Sequence, residues 1–401
     1  MTRHLFKLVW NRKRTNALII LEIFFSFLVV FLVATLGIYF WDNYRRPLGF
    51  SYQNVWKISV DMNAADDDDN EAAIVARLKT FQRLLDEVEA LEPVDAAAGA
   101  MVSPYDQGGW TSNQEIDGKQ VEMEANSVTQ GFAEVLGLEL VAGRWFEDAD
   151  EALAWNPTII DQDLARALYG DENPIGRQLG RTEPPEKPNR IVGVVREFRK
   201  GGELSAQGNF MFQFQRLNEA SWFQPRVLLV RVRPGTPAAF EEELTTLLQG
   251  VAPEWSFRIQ PLTEARRSAF QELLAPLATG GIVAFFLLLM VALGLFGVLW
   301  QNLLQRTREL GLRRAAGASR AAVHRQVLWE QTLLTSFGVL LGAVVVVQVP
   351  ILDLVGFIRP GVFAGGLLVA MAAIYLLSTL CALYPSAMAA RVQPAEALRY
   401  E

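Results

Sequence analysis

The chain is short of the residues that most chemistry needs. Its 401 residues hold one cysteine, Cys381, and two histidines, His4 and His324. A single cysteine excludes an internal disulfide, and two histidines far apart in sequence fit no metal-ligand spacing. No G-x-x-x-x-G-K-[ST] stretch occurs, which excludes a nucleotide site of that kind. The remaining turn glycines, Gly143 and Gly176, stand outside any phosphate-cradling motif. Nothing here reads as a catalytic constellation, so the expectation is a chain that is not an enzyme.

Charge is also missing, but only in places. Four windows, 17–41, 273–300, 327–349 and 361–383, contain two charged residues between them, Glu22 and Glu330. Each window exceeds the roughly 20 residues that span about 30 Å of hydrocarbon. The first is too long for a secretory signal and leaves through Tyr39, Phe40, Trp41 and Tyr44, an interfacial aromatic belt without a small-residue cleavage site. It is read as a retained membrane helix.

What charge there is divides sharply. Segment 42–272 carries 38 of the 44 acids and 23 of the 37 bases, a net of −15, while the rest of the chain is net +8. Such an acidic segment argues against nucleic acid and for a solvated domain. Bases cluster before the first window (Arg3, Lys7, Arg12, Lys13, Arg14) and between the second and third, where six arginines face one glutamate. The excess of bases on short loops predicts that both termini and the 301–326 loop are cytoplasmic and that 42–272 lies outside the cell membrane.

Periodicity divides the outer segment. Alternation at 54–62, helical spacing at 70–91 and an apolar run near 94–102 read as strand, helix, strand. A second such unit follows at 226–232, 237–248 and 255–260. Between them, 103–224 is richer in turns, with strands near 121–128, 158–160 and 190–195, helices at 129–136 and 162–169, and a turn at 173–176. This predicts an α+β subdomain from 54–102 and 225–262, with a second subdomain, 103–224, inserted into it. Residues 263–272 read as a helical stalk leading into the second membrane helix, with a kink expected at Pro276.

Three features invite a functional reading. Asp66–Asp69 resembles a cation site, but four consecutive acids lack the alternation of a calcium loop, and a solvated loop is the plainer reading. Glu22 and Glu330 are each about 7–8 Å inside a helix end, fitting a snorkelling carboxylate, a latch or a proton site. The basic loop reads as helix, break, helix: 302–315 is rich in helix formers, Gly317 is a stop and Ser319 an N-cap. The basic start, 2–15, suits either an amphipathic helix on the inner surface or a tail that sets topology.

The loop also carries a resemblance. Arg308-Glu-Leu-Gly-Leu-Arg-Arg-Ala-Ala-Gly-Ala318 resembles a segment of the FtsX/MacB class of ABC-transporter permeases, and Tyr384–Tyr400 resembles that class's ending. Outside, Gln130-Gly-Phe, Leu136-Gly-Leu, Gly143-Arg-Trp-Phe146, Asn173-Pro-Ile-Gly176 and Val192-Gly-Val-Val195 are similar to its MacB-like periplasmic core. The resemblance implies an α-helical membrane protein with four transmembrane helices and a large extracytoplasmic α+β domain between helices 1 and 2. That domain would combine porter-like βαβ repeats with an inserted sabre-like subdomain. It implies a permease dimer, of two copies or of two homologous permeases, in the inner membrane. A separate ABC ATPase subunit would bind ATP and Mg, this chain having no cofactor of its own, and a periplasmic adaptor is a further partner of the class. The loop would contact the ATPase through Glu309, Gly311, Arg313, Arg314, Gly317, Ser319 and Arg320. The work expected is mechanotransmission, with export or efflux as the output. Alternatives are an ATP-independent sensor with an outer ligand-binding domain, a regulator of cell-wall hydrolases, and a proton-coupled transporter using Glu22 or Glu330.

Overall fold

In the computed structural model, the described residues are 13–62, 70–106, 108–116, 119–180, 187–221, 223–305, 312, 316, 319–352 and 358–391. They form two compact units. One comprises Met1–Asp42 with Leu274–Glu401, the other Asn43–Leu273.

The first unit holds four apolar stretches long enough to cross a membrane. They lie in helices α1 (Lys13–Tyr44), α6 (Leu262–Gln305), α7 (Arg320–Ile351) and α8 (Pro360–Arg391). Leu32, Phe285, Phe286 and Met290 point outward, as suits a lipid-facing surface. The inner contacts are made by small residues. Gly338 and Gly342 of α7, four apart on one face, receive Ile23 and Phe27 of α1, and Gly366 of α8 receives Thr35. A Cβ at Gly342 or Gly366 would overlap the facing side chain. Close approach of this kind drives helix association where burial of apolar surface contributes little. Hydroxyls join α7 to α8. Gln331 Nε2 donates to Ser378 Oγ at 3.1 Å, Thr335 Oγ1 lies 2.6 Å from the same hydroxyl, and Ser336 Oγ lies 2.8 Å from Tyr375 Oη. Asp42 and Arg359 form an ion pair at 3.7 Å. Pro276 lies inside α6, which continues through it.

The second unit is organised on a ten-stranded sheet. Its strands are β1 (Val55–Asp61), β2 (Val94–Ala100), β3 (Trp110–Ile116), β4 (Lys119–Val128), β5 (Leu140–Gly143), β6 (Asn156–Asp161), β7 (Asn189–Val195), β8 (Phe210–Phe214), β9 (Val227–Val232) and β10 (Ser256–Pro261). Their order is β10-β1-β9-β2-β4-β8-β6-β7-β5, with β3 paired to β4. The two strand-helix-strand units interleave: β9 lies between β1 and β2, antiparallel to both, and β10 is antiparallel to β1. This is the ferredoxin-like split βαβ arrangement. One pair, Ala100 with Val128, carries the sheet onward into the intervening segment.

Helix α2 (Glu71–Glu89) is capped by the Asn70 side chain, which accepts from Ala72 N–H. Its buried residues Leu78, Phe81, Leu84 and Val88 recur at helical spacing. With Leu244 and Leu248 of α5 (Phe240–Val251) they cover Ile58, Leu228 and Val230. The opposite face buries Phe132, Phe198, Phe210, Phe212 and Leu262. A third core, with Met123, Ile160, Ile191 and Met211, lies under α4 (Gln162–Tyr169). The helix expected over 129–136 begins later, as α3 (Phe132–Leu136), because Thr129 is used by the sheet: its hydroxyl accepts from Gly99 N–H at 2.8 Å. β3, β5 and β8 were not expected from the sequence.

Candidate functional site

Of the residues expected to meet an ATPase, Ser319 and Arg320 are described. Ser319 is the N-cap of α7, its side chain accepting from Ala322 N–H at 3.2 Å, and Arg320 opens the helix with both residues exposed. The N-cap reading is therefore borne out as local structure. Glu309, Gly311, Arg313, Arg314 and Gly317 lie outside the described residues, as do Asp66–Asp69, His4 and most of the C-terminal motif. The two membrane carboxylates do not converge on one feature. Glu22 lies against Gly294 of α6, whereas Glu330 accepts from Gln326 Nε2 at 3.0 Å. Among the described residues no cluster of histidine, cysteine and acids is arranged to hold a metal.

A dense polar constellation was not anticipated. It lies in the outer unit, in the segment 198–207 that follows β7. Phe198 is buried among Phe50, Phe132, Phe210 and Phe212 and fixes the start of the segment. The next residue, Arg199, is 2% exposed. Its Nη1 donates to the carbonyls of Asn43 (2.8 Å) and Arg46 (3.5 Å), and its Nη2 to those of Glu203 (2.6 Å) and Ser205 (2.5 Å). Asn43 belongs to the last turn of α1, whose terminal carbonyls lack intrahelical partners and carry the negative end of the helix dipole. A guanidinium with a planar fork of donors suits that position. The junction is reciprocated: Asn43 Nδ2 donates to Leu204 O at 3.2 Å, and Arg46 Nη1 to Gln207 Oε1 at 2.9 Å.

The same segment holds the beginning of α6. Glu203 is 8% exposed and accepts from Arg266 Nε at 2.6 Å. Arg266 also lies over the rings of Tyr52 (4.8 Å) and Phe270 (4.6 Å). Burial disfavours its charge, but the Glu203 carboxylate outweighs that and holds the guanidinium above its ordinary range. Tyr105 donates to Glu203 Oε2 at 3.3 Å, and burial followed by that neighbouring charge keeps its phenol protonated far above the usual range. Lys200 donates to Gly108 O at 2.6 Å and pairs with Glu124 at 2.7 Å. Beside it, the buried Lys57 pairs with Asp106. One ten-residue segment of the intervening region thus grips the end of α1, the start of α6 and the base of the β3–β4 hairpin.

Two carboxyl groups are also buried in that region. Asp150, 1% exposed, accepts both Nη groups of Arg144 at 2.6 and 2.7 Å and the N–H of Glu147 at 2.9 Å. Burial pushes its carboxyl upward, but these bonds and the nearby Arg216 bring it below the ordinary value. Asp161, fully buried, caps α4 by accepting from Leu164 N–H at 2.9 Å. Burial pushes its carboxyl up to about 8, the helix N–H only partly offsetting it and Asp163 and Glu197 adding to it.

Arg199, Glu203 and Arg266 escaped the sequence reading because the bonds that join distant segments, Arg199 to Asn43 and Arg266 to Glu203, span 156 and 63 positions. The local signal was a charged Gly-Gly turn after a buried strand, which says where a loop is but not what it holds.

Comparison with known proteins accounts for both units. The family described as the MacB-like periplasmic core domain matches residues 17–247, and the FtsX-like permease C-terminal matches 281–394. An uncharacterized ABC transporter permease of Bacillus subtilis, YknZ, is 25% identical over 292 residues, covering 71% of each chain. The macrolide export ATP-binding/permease protein MacB of Agrobacterium fabrum is 27% identical over 330 residues, 78% of this chain and 49% of its own. A MacB 2 of Aeromonas hydrophila is 27% identical over 68% of this chain and 43% of its own, so the chain spans half or less of these two MacB relatives. The crystal structure of the periplasmic region of MacB from Actinobacillus actinomycetemcomitans aligns with 54% of this chain at 13% identity and a TM-score of 0.36. Four apolar helices and a periplasmic-type domain make this a membrane protein with an extracytoplasmic domain. The chain belongs to the class of ABC transporter permeases that join a MacB-like periplasmic core domain to an FtsX-like permease domain.

Proposed function

We propose that the chain is the permease subunit of an exporter in which an ATPase on another polypeptide drives movement of the outer unit. The observation that carries this reading is the 198–207 segment, bonded through Arg199 to the end of α1 and through Glu203 to the start of α6. Both helices are unbroken from these junctions into their apolar stretches. A displacement of either helix end would therefore load the same ten residues, and with them the intervening region from β3 to β8. Buried charge-assisted bonds suit such a task, because they yield between discrete arrangements rather than stretching.

On this reading both termini and the 301–326 loop face the cytoplasm. The ATPase, with its ATP and Mg, docks on Glu309, Gly311, Arg313, Arg314, Gly317, Ser319 and Arg320, and two permeases, alike or unlike, form the complex. Export is favoured by the activity that the MacB relatives are named for, and an adaptor on the outer unit would fit the same scheme.

The test is purification in gentle detergent with identification of every associated chain, repeated with Arg313→Glu/Arg314→Glu. The wild type should bring down an ATPase, and the variant should lose it while inserting normally. Retention of the ATPase by the variant would remove the loop from the interface. Absence of any ATPase from the wild-type complex would overturn the reading itself.

A further inference from the structure

The outer unit contains a cleft of about 1030 Å³ that the coupling argument does not use. It is walled by α2 on one side and by the intervening region on the other. Its volume matches sites that enclose small ligands, which combine an apolar floor with a few convergent polar groups.

The floor is apolar and fixed. Trp145 Nε1 donates to Gln130 O at 2.7 Å, and the Trp145 ring lies 5.7 Å from Phe212. Phe146 and Phe214 lie 5.4 Å apart, and Leu217 completes the surface. The α2 wall is polarised along its length. Lys79 and Arg83 line it and have no ion-pair partner among the described residues. Glu89 lines the cleft further along the helix, with Glu134 of α3 beside it. Burial holds the Glu89 carboxyl above its ordinary range, a backbone bond from Ala97 only partly offsetting it and the charges of Asp86 and Glu134 adding to it. Asp148 and Glu151 add acid on the opposite wall. At 1.5 Å per residue, Arg83 and Lys79 stand about 9 and 15 Å along the helix from Glu89. An extended peptide advances about 3.3 Å per residue, so about three to five residues cover that interval.

We propose that this cleft binds a short extended peptide with an apolar middle. Its carboxylate meets Lys79 and Arg83, its ammonium meets Glu89 and Glu134, and its side chains lie on Trp145 and Phe214. The bound ammonium would relieve the crowding of the two glutamates, and the carboxylate would pair with two cations that have no ion-pair partner among the described residues. Binding is measured without transport, so this inference fails or stands apart from the coupling reading, which copurification tests.

Isothermal titration of the full chain in detergent with the pentapeptide Ala-Leu-Phe-Leu-Ala, bearing free termini, tests the proposal against a detergent-only control. Saturable one-site binding is expected, weakened at least about tenfold, the equivalent of 1.4 kcal/mol, by Lys79→Glu/Arg83→Glu. These two residues are exposed on α2, so the variant should keep the wild-type melting temperature. The same peptide acetylated and amidated at its ends should lose about as much. Trp145→Ala is a second probe of the floor and should also weaken binding. No saturable heat with the wild type, or equal affinity for the blocked peptide or for the charge-reversed variant, would overturn the proposal.

Discussion

The two units of this chain solve the same problem in opposite solvents. The outer unit hides aromatic residues on both faces of its sheet and specifies its junctions with buried charges: Arg199 on carbonyls, Arg144 on Asp150, Arg266 on Glu203. The membrane unit shows its large apolar side chains outward and draws its helices together through Gly338, Gly342 and Gly366, with a few hydroxyls between α7 and α8. In water, apolar burial supplies the stability and buried polar bonds select the arrangement. In lipid there is little to gain from hiding an apolar side chain, so fit and backbone proximity select it instead. Each unit should therefore be sensitive to the substitution that the other tolerates.

The largest effect is expected at Arg199. Arg199→Ala strands several buried carbonyls and should destabilise the outer unit by about 3–5 kcal/mol, read as a lowered melting temperature with the membrane helices intact. Arg199→Lys should recover only part, since an ammonium cannot reproduce the planar fork. Next comes Gly342→Val, whose added methyl groups meet Phe27. It should cost the membrane unit about 1–3 kcal/mol in detergent unfolding while leaving the outer unit's melt unchanged. If the outer unit weakened equally, the division of labour drawn above would be wrong.

A smaller effect depends on pH. Burial raises the Asp161 carboxyl from 3.8 to about 8, so the folded chain holds a proton that the unfolded chain releases. Its contribution to stability is full below the unfolded value, declines as pH rises and is lost by the time pH passes about 8. Asp161→Asn keeps a capping oxygen but removes the titration. Its stability should be flatter between pH 5 and 8 than the wild type's, by about 1–3 kcal/mol across the range. Identical pH profiles would show that the buried carboxyl does not titrate in the fold. The smallest effect is expected at Ser319→Ala, about 1 kcal/mol of local stability in the first turn of α7, read by amide exchange there.

Much of the fold could be read from period and composition. β1, α2, β2 and the matching trio β9, α5 and β10 each pack one or two faces on a core, and their apolar spacing records it. β3 and β5 were illegible for the converse reason: Trp110–Ile116 is a polar arm beyond the main sheet path, and Leu140–Gly143 is a four-residue strand with little buried. The continuity of the sheet was equally hidden, because it passes through a single pair, Ala100 with Val128. At the membrane, Ser319 announced itself as a cap because capping is a local act. Arg199 did not, because two of the carbonyls it binds belong to Asn43 and Arg46, 156 and 153 positions earlier in the chain.

The proposed transmission of movement through segment 198–207, between the ends of α1 and α6 and the outer domain, is open to hydrogen exchange on the purified permease–ATPase complex. Amide protection of 198–207 would be compared without nucleotide and with the ATPase trapped by ATP and vanadate. A change in protection is expected there, lost when Glu203→Gln weakens the hold on Arg266. Unchanged protection of 198–207 in a complex whose ATPase is demonstrably trapped would contradict it.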